Sequence, residues 1–177
     1  KVERINKHTC IFQADNINVD YLASPEFRKK TGRLRGSVML AGPMLARFKQ
    51  AYVPKPGGDK IGRRRLDTHI IAFQQLGAKF DDDDTSFFHL RTSQTKAAKL
   101  LLDAPSVTGT ANIIMAAVMA KGTKTIYNAA CEPYIQQLCK MLNSMGAKIS
   151  GMASNMLFIE GVSELCGTTH TILPDMI

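Results

Sequence analysis

Two stretches of the chain, 69 residues apart, say nearly the same thing: "HIIAFQQLGAKF" at His69–Phe80 and "LCKMLNSMGAKI" at Leu138–Ile149. Each reads as an amphipathic helix, then Gly-Ala-Lys, then a strand. The flanks repeat as well. Ahead of each copy lies an unusually apolar segment, "GSVMLAGPMLARF" (Gly36–Phe48) and "GTANIIMAAVMA" (Gly109–Ala120), followed by a β-rich run, "AYVP" (Ala51–Pro54) and "KTIYNA" (Lys124–Ala129). After each comes a second short strand, "FFHLR" (Phe87–Arg91) and "MLFIEG" (Met156–Gly161). An internal repeat of this kind constrains the fold more than any single motif, because each unit must bury its apolar face against a neighbour. The predicted unit is helix, strand, helix, strand, strand.

The helices are of two kinds. In the second copy Ile135, Leu138, Leu142 and Met145 follow the stripe of a one-sided helix, and Glu132-Pro133 suits its first turn. "GTANIIMAAVMA" is apolar on nearly every face, so it must be surrounded by protein. The same holds for "GSVMLAGPMLARF", where Pro43 should kink or restart the helix. Together these patterns predict an α/β domain with helices packed inside a wrapping of short strands.

Within 177 residues, 45% apolar and 21% charged, there is material for one soluble domain with a substantial core. No segment approaches the roughly 18 apolar residues that span a membrane. The N-terminus has no apolar signal region and no Met, and the C-terminus stops after a turn-like Pro-Asp; the chain reads as a piece of a longer protein. The four cysteines, Cys10, Cys131, Cys139 and Cys166, form no CxxC pair and read as free buried thiols of a reducing cytosol. "DDDD" (Asp81–Asp84) reads as a solvated turn rather than a cation site, since the matching turn "GMASN" has no acid.

A net charge of +8 implies an anionic partner. The cations concentrate between Arg47 and Arg65, and Trp is absent, which suits a compact anion better than a nucleic acid. Their centre is "VPKPGGDKIGRRRLD" (Val53–Asp67), where one carboxylate, Asp59, stands between glycines amid lysines and arginines. The loop is neither a Walker A motif nor GxGxxG. Its glycines let the backbone approach a ligand or move as a lid. Arg63–Arg65 run into a helix start, and guanidinium groups beside a helix N-terminus clamp diphosphates. Asp67 is placed to cap that helix. Asp59 is either a solvated acid paired with Lys60 or a general acid. Neighbouring cations lower its pKa, while bound anions and burial raise it.

The stretches "LRGSVMLAGPMLARF", "PGGDKIGRRRLDTHI" and "IYNAACEPYIQQLCKMLNSMGAKISG" closely resemble the bacterial UDP-N-acetylglucosamine 1-carboxyvinyltransferases (UDP-N-acetylglucosamine enolpyruvyl transferases), and the resemblance runs over essentially the whole chain. It implies an inside-out α/β barrel, shared with 3-phosphoshikimate 1-carboxyvinyltransferase, built from βαβαββ units with buried helices. Residues 1–177 would form a single domain, most of the sequence-continuous domain of a two-domain enzyme. The implied reaction transfers the enolpyruvyl group of phosphoenolpyruvate to the 3′-hydroxyl of UDP-N-acetylglucosamine, the first committed step of peptidoglycan synthesis, in the cytoplasm and without a cofactor.

The resemblance also implies residue roles. Asp59 stands where most members carry a loop cysteine that donates a proton. Arg35 matches an arginine that contacts substrate near the phosphates, and Arg64 one that meets both substrates. Arg64, Arg65, Leu66, Asp67 and Thr68 match a nucleotide-binding run, with Arg65 and Thr68 replacing the usual Pro and Leu. Ala104, Pro105, Ser106 and Val107 match a second such run, with Ala104 replacing a common lysine. Members are inactivated by fosfomycin through the loop thiol, so an Asp at this position implies resistance. Competing readings are the shikimate branch of the fold, which lacks the "PGGDKIG" loop, a basic nucleic-acid-binding module, and a paralogue that binds the nucleotide sugar without turnover.

Overall fold

A computed structural model describes residues 1–54, 66–81, 87–93 and 98–175. Among the described residues the repeat is explicit. The first unit runs α2 (Ala41–Phe48), β3 (Gln50–Pro54), α3 (Asp67–Gln75), β4 (Lys79–Asp81) and β5 (Phe87–Arg91). The second opens with a strand the sequence pattern did not reveal, β6 (Ala98–Leu101). It then repeats the order as α4 (Val107–Ala117), β7 (Thr123–Tyr127), α5 (Pro133–Ser144), β8 (Lys148–Ser150) and β9 (Met156–Glu160). Ahead of both stand a hairpin, β1 (Val2–Asn6) with β2 (Thr9–Phe12), and a short helix, α1 (Pro25–Thr31).

The two sheets carry the same local order. The first is β3-β5-β4, antiparallel throughout; the second is β6-β7-β9-β8, in which β7-β9-β8 repeats that order and β6 adds a parallel edge next to β7. A parallel pair needs a crossover, and α4 is that crossover. Both Gly-Ala-Lys turns work alike. Gly77 and Gly146 adopt φ of 94° and 102°, the left-handed region that lets a helix stop and the chain turn into a strand.

α4 occupies the middle of the molecule and touches α2, α3 and α5. Ile113, Ile114, Ala116, Ala117 and Val118 are all buried, as are Leu100, Ile126, Leu157 and Ile159 on the strand faces turned toward the helices. The opposite strand faces bear exposed residues such as Leu101 and Phe158. Helices thus lie inside and strands outside, as the all-round apolar pattern predicts. Pro43 sits in the first turn of α2, directly after a 3-10 helix at Arg35–Leu40: the segment restarts rather than bends. In α5 the stripe is confirmed, with Pro133 in the first turn and Ile135, Cys139 and Leu142 buried.

One polar device and one close crossing hold α4 in this apolar setting. At its C-terminal end the fully buried Lys124 donates to the carbonyl oxygens of Ala120, Lys121 (2.7 Å) and Gly122 (2.8 Å). Burial lowers its pKa to about 8, so the ammonium persists at neutral pH and complements the helix C-terminus. Midway along α4, α2 crosses it so tightly that a Cβ on Gly42 would lie 2.3 Å from the backbone oxygen of Asn112.

Two expectations need correction. All four cysteines are free, but only Cys139 is buried; Cys10 lies on the exposed hairpin, and Cys131 and Cys166 lie in exposed connections. Asp81 ends β4 bonded to Arg91, and Asp82–Asp84, the rest of the acidic turn, lie outside the described residues.

Candidate active site

The sequence points to three segments: Arg35, the start of α3, and the start of α4. The fold brings them to one end of the two central helices. α3 begins at Asp67, with Leu66 in the capping position and buried; Asp67 is the first helical residue and not the cap the sequence reading expected. An acid in the first turn still complements the helix dipole. α4 begins at Val107 behind Ser106, whose Oγ accepts from the Gly109 N–H at 3.1 Å. That bond uses a lone pair and leaves the hydroxyl hydrogen available as a donor. Ala104 and Pro105 form the exposed connection from β6, turned by a bond from the Ser106 N–H to the Ala104 carbonyl at 2.8 Å.

The two helix starts touch. Thr68 Oγ1 donates to Asp103 Oδ1 at 2.6 Å, and the Thr68 methyl lies 3.1 Å from where a Cβ on Gly109 would sit. A Cβ there would crowd the Thr68 methyl and the Ser106 side chain, so glycine eases the approach of the two starts. Two helix N-termini side by side sum their positive potential, a setting suited to a diphosphate. Asp59, Arg64 and Arg65 lie outside the described residues.

Behind this surface is a buried polar network that the sequence reading missed. Asn112, fully buried, accepts the Gly42 N–H through Oδ1 at 3.0 Å. Its amide nitrogen donates to the Val38 carbonyl at 2.9 Å and to His69 Nδ1 at 3.0 Å. With Nδ1 accepting, His69 carries its hydrogen on Nε2 and donates it to Thr108 Oγ1 at 3.2 Å. The available signal was Asn112 itself, the one amide within a helix otherwise apolar or small.

His69 is only 4% exposed, and burial, then the nearby Arg35 charge, push its imidazole pKa down to about 4. The neutral form is the one the network requires. In an unfolded chain the ring protonates near pH 6.5. Stability is therefore complete above that pH and declines as pH falls toward 4, by about 3 kcal/mol in all. Urea midpoints at pH 7 and pH 4.5 check this: a His69→Gln variant should show a smaller drop between the two than the parent.

Known proteins place this geometry. The profile of the EPSP synthase (3-phosphoshikimate 1-carboxyvinyltransferase) family matches residues 7–177. Proteins named UDP-N-acetylglucosamine 1-carboxyvinyltransferase are similar: that of Bacteroides thetaiotaomicron is 63% identical over 96% of this chain and 39% of its own length. That of Porphyromonas gingivalis is 60% identical over 100% of this chain and 41% of its own. That of Treponema denticola is 48% identical over 98% of this chain and 39% of its own. The chain thus spans about two fifths of the length of these relatives. Among solved structures, the enolpyruvyl transferase NikO from Streptomyces tendae superposes with a TM-score of 0.63 at 14% identity, covering 76% of this chain and 32% of that one. EPSP synthase from Acinetobacter baumannii gives 0.58 at 18% identity, covering 77% and 31%. These structures share the fold, α/β with internal helices. Repeat, helix burial and profile agree over nearly the whole length, and the chain belongs to the EPSP synthase (3-phosphoshikimate 1-carboxyvinyltransferase) family.

Proposed function

We propose that this chain is most of one domain of a two-domain enzyme that transfers the enolpyruvyl group from phosphoenolpyruvate to the 3′-hydroxyl of UDP-N-acetylglucosamine, with release of phosphate. The observation that carries this reading is the identity of 60–63% to proteins of that name across nearly all of this chain. The geometry supports it in type. The paired starts of α3 and α4, with Ser106 as hydroxyl donor, suit the diphosphate of the nucleotide sugar, and Arg35 stands beside them. The loop between β3 and α3 contributes Arg64 and Arg65 against phosphate, and Asp59 as the acid.

In this mechanism Asp59 gives its proton to the methylene carbon of phosphoenolpyruvate. The adjacent carbon gains oxocarbenium character and the sugar hydroxyl attacks it. Loss of a proton from the new methyl group and departure of phosphate restore the double bond. Arginine side chains and helix N–H groups hold the phosphates through these changes in charge. The base for the hydroxyl comes from the second domain. The product commits the nucleotide sugar to peptidoglycan, and so to cell shape and division, in the cytoplasm. Among the described residues no helix is long and apolar enough to cross a membrane.

Phosphate release by the full-length protein tests the reading. With phosphoenolpyruvate present, UDP-N-acetylglucosamine should support turnover and shikimate 3-phosphate should not; the reverse preference would assign the protein to the shikimate branch. A second expectation concerns inhibition. A carboxylate is a far weaker nucleophile toward an epoxide than a thiolate. The parent enzyme should resist fosfomycin, and Asp59→Cys should become sensitive, with the drug's mass added at residue 59. Inactivation and labelling of the parent at ordinary drug concentrations would contradict this.

A further inference from the structure

We infer that Asn112, His69 and Thr108 are positioning residues for nucleotide-sugar binding, an inference that rests on the function proposed above. Every hydrogen-bonding group of the buried Asn112 amide is used: two bonds hold the stretch that follows Arg35, and the third leads to the α3 start. Its donor to the Val38 carbonyl fixes the 3-10 helix that begins with Arg35. Its acceptor for the Gly42 N–H fixes the α2 start that follows this 3-10 helix. Its second donor fixes His69, two residues after Asp67 and next to Thr68. His69 then passes the tie to Thr108, two residues after Ser106. Arg35, the α3 start and the α4 start come from positions far apart in sequence, yet they are linked through one amide and one imidazole.

Apolar packing alone would hold these helices together but would not fix their relative rotation to hydrogen-bond precision. A chain of directional bonds does so, because each group has one acceptable geometry and a high cost if left unmade. Diphosphate recognition by two adjacent helix starts needs that precision, since the N–H groups of both must converge on the same anion. Asn112 and His69 lie one layer behind that surface and act through the residues that face the ligand, while Thr108, exposed at the second position of α4, brings the chain of bonds out to the helix start itself.

The test uses the full-length enzyme, with calorimetric Kd for UDP-N-acetylglucosamine, steady-state KM and kcat, and the unfolding temperature. Thr108→Val keeps side-chain shape and removes the acceptor of His69 Nε2–H; Thr108→Ser keeps the acceptor. Thr108→Val should raise Kd and KM for the nucleotide sugar roughly tenfold while kcat stays within about twofold, and Thr108→Ser should restore both. His69→Asn retains an oxygen for Asn112 but cannot reach Thr108; it should reproduce the Thr108→Val effect and serves where that variant folds poorly. Unchanged KM and Kd with a lowered unfolding temperature would show a purely structural network and overturn the inference. A parent enzyme that binds the nucleotide sugar without turning it over would overturn the proposed activity alone, with the positioning role still read from Kd. A parent that neither binds nor turns over would overturn both.

Discussion

Asp59→Asn in the full-length enzyme should lower kcat by about 10²- to 10⁴-fold, the usual contribution of a positioned general acid. The substitution keeps size and removes the transferable proton, so UDP-N-acetylglucosamine affinity should stay within about twofold of the parent. The split between kcat and affinity is the informative part. A loop acid that merely pairs with Lys60 would show little change in either quantity. A residue that orders the loop would weaken binding of both substrates along with turnover. Activity equal to the parent would demote Asp59 to a solvated charge and remove the proton donor from the mechanism. Single-turnover measurements would separate slowed chemistry from slowed loop movement.

The second large effect is on the fold. Gly42→Ala should destabilise the protein by about 3 kcal/mol, the upper end of the usual overpacking range, because the added Cβ meets backbone rather than a flexible side-chain end. The added Cβ would lie 2.3 Å from the Asn112 carbonyl oxygen and 3.1 Å from its Oδ1. Relief requires α2 to move away from α4, and that movement stretches the Gly42–Asn112 bond that ties the site together. Gly167→Ala is the matched control, since nothing lies within 4 Å of its added Cβ, and it should change stability by less than about 0.5 kcal/mol. Denaturant midpoints for the two variants measure the contrast. Equal stabilities would mean that the two central helices are not in the close crossing described.

The repeat was legible because it is written in periodicity. The strand after each acidic or Gly-rich turn, Phe87–Arg91 and Met156–Glu160, falls at the same offset as the Gly-Ala-Lys turns. The two central helices were legible because no solvent-facing stripe interrupts them. β6 was not legible: "AKLL" alternates weakly and is a short parallel edge defined by its partner β7, not by its own pattern. The hairpin of β1 and β2 was missed for the same reason, with both faces exposed and no alternation to mark a core side. At the site, charge and glycine drew attention to the loop that carries Asp59. The Asn112 network escaped because its members lie 43 and 74 residues apart in sequence, and a single polar residue in an apolar helix does not name its partners. Helix capping by Asp67 was a reasonable local expectation. The chain instead enters α3 through buried Leu66, which packs in the core and displaces the cap by one residue.

A crystal structure of the full-length enzyme with UDP-N-acetylglucosamine and a phosphoenolpyruvate analogue is the most direct measurement of all. It should place an Asp59 carboxyl oxygen within about 3.5 Å of the methylene carbon, with the diphosphate against the starts of α3 and α4. A carboxyl turned out to solvent, or a diphosphate bound away from those two helix starts, would contradict the mechanism proposed here.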